Sequence, residues 1–247
     1  MVDLNVDIAE GFPHDRALLD FATSASICCG VHAGSEELTA ETIAICRSLG
    51  IRFGIHPGYP DRESMGRMSI DEGNQKLYLD SVFNQLRRFM QYDKPAYIKP
   101  HGAFYNDTAI PLTEDWDLDE FGAHVYQAGG VFLSKYPGVH SLAMILRIYK
   151  LPLVGLKRTT HEAVAMRSKQ LFIREGFADR AYRQNGTLVP RTDPRAVLQD
   201  EKLIKEQVLR LAPQVDTICL HGDTPGCLEF AAMVKSTLLQ AGYGVGF

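Results

Sequence analysis

Four histidines of this sequence share one local setting. They occur in Cys29-Gly30-Val31-His32-Ala33-Gly34, in Gly54-Ile55-His56-Pro57-Gly58, in Ile98-Lys99-Pro100-His101-Gly102 and in Cys219-Leu220-His221-Gly222-Asp223. Each time an apolar run delivers an imidazole, and a glycine follows within two residues. Glycine there permits a sharp chain exit and close backbone approach to a ligand. Taken singly, each histidine reads at least as well as a satisfied, partly buried core residue. The sequence has 8 histidines, however, and half of them fall in this one slot. Independent packing choices explain that poorly, so as a set the four are expected to converge on one cleft.

The first apolar run supports a site at strand ends. In Asp3-Leu4-Asn5-Val6-Asp7-Ile8 the polar residues share one face and the aliphatic ones the other. In a barrel wrapped by helices the aliphatic set meets the helices and the polar set points inward. Buried carboxylates are costly unless paired. Lys99 and His101 share a face of their own run and are natural partners. For Asp3 and Asn5 a structural polar plug and a direct catalytic part are equally good readings. Asp7, nearest the strand end, is the better catalytic candidate.

Elements that position these residues follow from the apolar pattern. Candidate strands are 3–8, 25–31, 52–56, 96–101, 152–157, 170–175 and 216–221. Candidate helices are 36–49, with Leu38, Thr42, Ile45 and Leu49 on one stripe, and 74–91, with Leu79, Val82, Phe83, Leu86 and Met90. A third, near 225–241, carries Leu228, Ala231, Ala232, Leu238 and Leu239. Weaker helical patterns lie near 140–149, 159–168 and 194–212. Such alternation predicts an α/β fold with a parallel sheet and helical crossovers. Seven units without a linker favour a (β/α) barrel over an open sheet, with residues 1–247 as one domain. In a parallel barrel the site lies at the C-terminal ends of the strands. The stretch 107–138, with its acidic patch and the Gly129-Gly130 pair, breaks the rhythm and reads as an insertion at the rim.

Bulk properties exclude several classes of function. The 247 residues suffice for one large core, and net charge is −4 with no basic run. Nucleic acid and anionic membrane are therefore not expected partners. Acidic residues interrupt the N-terminus from position 3, unlike a signal peptide. No apolar stretch reaches the length of a membrane span. The five cysteines form no disulfide framework or zinc-ribbon spacing and read as reduced thiols of a cytoplasmic protein. No glycine-rich run ends in GK[ST], so there is no P-loop.

In order along the chain, DLNVDIAEGF, CGVHAG, HPGYPD, KPHGAFYN, FADRAY with LVPR, and LHGDTPG resemble the signature blocks of the LamB/YcsF family, the 5-oxoprolinase A subunits or lactam utilization proteins. The resemblance implies a distorted seven-stranded (β/α) barrel, similar to glycoside hydrolase/deacetylase folds. It implies ATP-dependent opening of the 5-oxoproline (pyroglutamate) lactam to glutamate. It also implies B and C partner subunits, similar to allophanate hydrolase and biotin-dependent carboxyltransferase domains. The matched polar residues are Asp3, Asn5, Asp7, Glu10, His32, His56, Lys99, His101, Tyr105, Asn106, Glu175, Asp179, Arg180, His221 and Asp223. Three departures stand out. Ser35 replaces the family's usual aspartate, the loop after Glu10 is shorter, and 107–138 is longer than expected.

Together these readings give an expected catalytic set of Asp7, His32, His56, Lys99, His101 and His221. Expected substrate contacts are Asn5, Glu10, Tyr105, Asn106, Glu175, Arg180 and Asp223. Asp7 or a histidine would deprotonate water, with Lys99 and the remaining histidines holding developing negative charge or phosphate. ATP would bind an unconventional site or one of the partner proteins. Asp7, His32 and His56 also have ligand types suited to a divalent metal, as in a metal-dependent deacetylase or amidohydrolase. A non-catalytic ligand-binding role would account for partners but not for four convergent histidines.

Overall fold

A computed structural model of the chain describes residues 1–112 and 136–247. Among these residues six parallel strands form one curled half-barrel sheet with helices outside it. They are β1 (Asp3–Ile8), β2 (Ser24–Cys28), β3 (Arg52–His56), β4 (Leu153–Gly155), β5 (Phe172–Phe177) and β6 (Thr217–His221), in the order β3-β2-β1-β6-β5-β4. The helices are α1 (Asp15–Leu18), α2 (Glu36–Leu49), α3 (Gln75–Tyr92), α4 (Gly102–Thr108), α5 (Pro137–Tyr149), α6 (Thr160–Arg167), α7 (Glu201–Leu211) and α8 (Cys227–Gln240). Most of the expected insertion at 107–138 lies outside the described residues.

The expected seventh strand, 96–101, is not a strand. It contributes only bridges, from Ile98 to Ile55 on one side and to Leu153 on the other. Its backbone is nevertheless shared by both sheet edges. The Lys99 N–H donates to Ile55 O at 3.0 Å, and the Val154 N–H donates to Ile98 O at 2.9 Å. Pro95 and Pro100 flank the segment and lack the N–H a longer ladder needs.

β1 behaves as its alternation predicts. Leu4, Val6 and Ile8 are sealed against the helical layer, and Asp3, Asn5 and Asp7 are buried on the inner face. Register aligns the site: Asp7 pairs with His221 on β6, and Cys28 pairs with His56 on β3. β2 ends sooner than expected, at Cys28 instead of residue 31, because Gly30 turns the chain with φ +73°.

α2 starts at Ser35, whose side chain accepts the Leu38 N–H. Ser35 is thus an N-cap, a role serine and aspartate fill equally well. The buried face of α2 is Thr39, Thr42, Ile43 and Cys46, rotated from the expected stripe, and Leu49 is exposed. Thr39 Oγ1 sets that rotation by donating to Cys28 O at 2.7 Å. All five cysteines are buried free thiols. No helix among the described residues is long and apolar enough to cross a membrane.

His161, outside the repeated slot, is a packed core histidine. Its Nδ1 accepts the Leu156 N–H at 3.3 Å and its Nε2 donates to Thr108 Oγ1 at 2.9 Å. Burial pushes its pKa down to about 3. An unfolded histidine titrates near ~6.5. Between those values the unfolded chain takes up a proton that the folded chain refuses, so this residue's contribution to stability falls as pH is lowered through that window. Urea unfolding of wild type and His161→Gln should show their free-energy difference shrinking by ~3 kcal/mol from pH 7 to pH 4. A pH-independent difference would contradict the assignment.

Candidate functional site

The inner face of β1 changes character along its length. At the bottom, Asp3 is satisfied by hydroxyls: Thr23 donates at 2.5 Å, Ser24 at 2.7 Å, and Thr217 also donates. Above it, the Asn5 amide donates to Thr217 Oγ1 at 2.7 Å. At the top lies a buried ion cluster. Lys99 Nζ is 2.7 Å from Asp7 Oδ1, 2.7 Å from Glu175 Oε1 and 3.2 Å from Asn5 Oδ1. Burial opposes charge on both Asp7 and Lys99, but the attraction wins. His56 and Lys99 hold the Asp7 carboxyl well below the usual carboxylate range, and Asp7 and Glu175 hold the Lys99 ammonium well above its ordinary value. Burial pushes the Cys219 thiol up, although its sulfur lies 3.0 Å from Lys99 Nζ.

The histidines stand above this cluster with defined orientations. His56 Nδ1 is 2.8 Å from Lys99 O, and His101 Nε2 is 2.8 Å from Met65 O. Carbonyl oxygens only accept, so both nitrogens carry hydrogens. The other nitrogens, His56 Nε2 and His101 Nδ1, face each other at 2.9 Å. His221 Nδ1 is 2.8 Å from Asp179 Oδ1. Its Nε2 is 3.7 Å from Asp7 Oδ2, on the cleft side. Burial works against the Asp179 charge, but His221 beside it holds its pKa below normal. Burial, with His32 and His56 nearby, pushes His101 well down.

The chain is strained where it presents these groups. Ala9 (φ 64°) and Met65 (φ 56°) are left-handed residues with side chains, a sparsely populated conformation. The Ala9 turn sends Glu10 inward, and Asp15 Oδ2 accepts the Glu10 and Gly11 N–H groups at 3.0 and 3.1 Å. Gly34 packs so closely that a Cβ would stand 2.0 Å from Ala9 O. At Gly58 a Cβ would stand 2.5 Å from His32 Nδ1. The glycines of the repeated slot therefore make room for the site.

A cleft of about 740 Å³ opens here. Asp7, Glu10, His56, Lys99, His101, Tyr105, Asn106, Arg180, His221 and Asp223 all line it, as do Arg67, Arg183 and Arg191. Three of the four slot histidines thus meet in one cleft. His32 does not line it. It follows the early end of β2 by four residues and folds beneath, stacked on His101 with ring centroids 3.8 Å apart. Its Nε2 lies 3.2 Å from Cys28 Sγ. Burial opposes its charge, but Cys28 and Glu10 outweigh that and push it up to about 9. Asn5 and Glu175, expected to contact substrate, are buried behind Lys99 and are not lining residues.

Residue grouping also revises the metal expectation. Asp7, His32 and His56 are not the set brought together. The groups with ligand atoms within 4.8 Å are Glu10, His56 and His101, and Asp7, Cys219 and His221. Sequence reasoning missed Arg67 and Arg191, which grip Asp223 Oδ2 at 2.8 and 2.7 Å. Arg67 is an isolated loop arginine without a motif, whereas Arg191 closes the LVPR block. It also missed the pairing of Asp179 with His221, two residues 42 positions apart.

Comparison with known proteins gives a consistent result. The LamB/YcsF family profile matches residues 2–113 and 139–246. The 5-oxoprolinase A subunit of Neisseria meningitidis is 34% identical over 271 residues, covering 99% of this chain and 98% of the relative. Its counterpart in Haemophilus influenzae is 32% identical over 255 residues, covering 96% and 95%. Among solved structures, a lactam utilization protein from Thermus thermophilus superposes with TM-score 0.75 at 25% identity, covering 99% of this chain and 98% of that one.

The matched residues include the whole ion cluster of Asp7, Lys99 and Glu175. Removing one partner of a buried ion group leaves an uncompensated charge, which costs about 3–5 kcal/mol. Lys99→Met should lose that much in urea unfolding. Adding Asp7→Asn and Glu175→Gln to the same chain should restore a large part. A single variant as stable as wild type would show that the cluster is not buried as described.

Proposed function

The chain belongs to the LamB/YcsF family, and on that premise we propose that it is the lactam-opening component, the A subunit, of a multi-subunit 5-oxoprolinase, converting 5-oxoproline to glutamate with ATP. The observation that carries the chemistry is the Asp179–His221 pair on the cleft wall. Asp179 accepts from Nδ1 at 2.8 Å, which leaves the Nε2 lone pair on the cleft side. A carboxylate-oriented imidazole of this kind is suited to deprotonate water.

The remaining residues fit the substrate's chemistry. 5-Oxoproline has one anionic group, its carboxylate, beside a neutral five-membered lactam. Arg67, Arg183 and Arg191 line the cleft, and Arg67 and Arg191 share Asp223 as counter-charge, so the rim favours an anion. Burial pushes Arg180, also lining, down to about 10, which leaves it charged at neutral pH.

The lactam amide is resonance-stabilised and resists water. Phosphoryl transfer from ATP to its oxygen makes the ring carbon electrophilic. Water then adds to that carbon, its proton going to His221 Nε2. The ring carbon–nitrogen bond breaks as nitrogen takes up a proton, leaving an acyl phosphate, and a second water cleaves that to the side-chain carboxylate and inorganic phosphate. Asp7, charged and facing the cleft beside His221, stabilises the imidazolium this creates. The chain has no P-loop, so nucleotide handling falls to the B and C partners or to an unconventional site formed with them.

Glutamate release is the test. The chain alone should form almost none, and the complex reconstituted with B and C partners and ATP should form it steadily. In that complex Asp179→Asn, His221→Ala and Asp7→Asn should each lower kcat by roughly 10²–10⁴. His101→Ala should also lose turnover. Wild-type rates in Asp179→Asn and His221→Ala would remove the pair from the mechanism. Deacetylation by the isolated chain, indifferent to ATP, would replace the lactam reading altogether.

A further inference from the structure

One group of polar atoms at the cleft floor takes no part in the proton transfers above, although loss of His101 is expected to lower turnover. His56 Nε2 and His101 Nδ1 face each other at 2.9 Å, and each ring's other nitrogen donates to a backbone carbonyl. In their neutral forms both facing nitrogens are lone pairs. Two acceptors at that distance repel unless something positive lies between them. Glu10 Oε1 completes the group. It is buried and has no hydrogen-bond partner among the described residues. The nearest imidazole nitrogens, on His101 at 3.4 Å and on His32 at 3.5 Å, stay beyond good hydrogen-bonding distance. Lys99 is committed to Asp7 and Glu175 and offers Glu10 nothing.

We infer that Glu10, His56 and His101 form a binding site for one divalent cation of zinc-like preference, open to the cleft. Two imidazoles and a carboxylate are donors such an ion accepts. An ion about 2.0–2.1 Å from each donor in tetrahedral geometry sets the donor atoms roughly 3.3 Å apart. The measured separations of 2.9 Å and 3.4 Å bracket that value, and all three donor atoms lie within 4.8 Å of one another. The carbonyls of Lys99 and Met65 hold the two rings by their far nitrogens, the outer support that ligating histidines usually have. Glu10 is held in turn by the Ala9 turn and by Asp15 on its backbone N–H. All three donors line the cleft, so the fourth position faces substrate space. Three protein ligands with one open position is the pattern of a catalytic site, not a structural one. A bound ion there supplies Lewis acidity toward an oxygen of the ligand in the cleft. The competing occupant is a proton on His56 Nε2, shared with His101 and held by Asp7 Oδ2 at 3.4 Å.

Metal content of the whole chain decides between them without any activity assay, so the outcome does not depend on the lactam proposal. Chelator-treated protein is incubated with Zn²⁺ or Co²⁺, gel-filtered, and its bound metal counted by elemental mass spectrometry. The expected result is about one ion per chain, with the intense visible bands of four-coordinate cobalt. Glu10→Gln and His101→Gln should each weaken binding by at least ~10–100-fold. His14→Ala, which removes an exposed histidine outside the donor set, should bind as wild type does. Circular dichroism confirms that each variant is folded. If neither site variant folds, the wild-type stoichiometry and cobalt spectrum still decide. A wild-type chain that retains no ion at micromolar metal overturns the inference in favour of the shared proton. So does undiminished binding by folded Glu10→Gln and His101→Gln.

Discussion

An ammonium group in a barrel interior dictates much of this molecule. Lys99 is almost wholly removed from water, at a desolvation cost of several kcal/mol unless carboxylates stand beside it. Its two partners come from different strands, Asp7 from β1 and Glu175 from β5, while Lys99 rides on the segment between the two sheet edges. Satisfying one charge therefore ties the first strand, the fifth strand and the edge-joining segment to one another. Such a cluster gains little net stability over an apolar core of the same volume. What it does provide is a charged Asp7 at a fixed point just under the cleft.

The histidines inherit their precision from that frame. Lys99 supplies its own backbone carbonyl to His56 Nδ1, so the residue that anchors the ion cluster also fixes an imidazole above it. Register places Asp7 across from His221. Close approach is possible because glycines occupy positions where a Cβ would strike a ring or a carbonyl, as at Gly58 and Gly34. Reactive groups are thus oriented by backbone atoms of strands and tight turns, which move less than side chains on mobile loops.

Much of this was legible in the sequence because it depends on local pattern. The period-two alternation of β1 marks its inner face, and the repeated histidine-then-glycine setting marks the strand exits. What was not legible depends on atoms far apart in sequence or on where a strand stops. Residues 96–101 look like a strand by composition, yet Pro95 and Pro100 limit the segment to bridges. His32 looks like its three counterparts, yet the Gly30 turn ends β2 early and carries His32 beneath the cleft. Arg67 and Arg191 become meaningful only as partners of Asp223. The Ser35 departure from the family's usual aspartate is a helix cap in which one short oxygen-bearing side chain replaces another.

The three polar residues of β1 resolve the question of plug against catalyst by how well each is satisfied. Asp3 accepts three hydroxyl hydrogen bonds and has no unmet capacity facing open space. Burial raises its pKa even so, as expected of a group serving only as internal packing. Asn5 is likewise consumed, by Thr217 and by Lys99. Asp7 differs. One oxygen is held by Lys99 at 2.7 Å, while the other meets His56 and His221 at 3.4 and 3.7 Å and the weak Cys219 thiol donor at 3.8 Å. A charged oxygen with loose partners at a cleft surface is costly to keep in a folded protein. The same strand face four residues earlier, at Asp3, shows that the sequence can satisfy such a group with threonine and serine hydroxyls. The absence of that solution at Asp7 is therefore a property of position. Near the C-terminal end of the strand, the unsatisfied capacity of β1 is turned toward whatever enters the cleft.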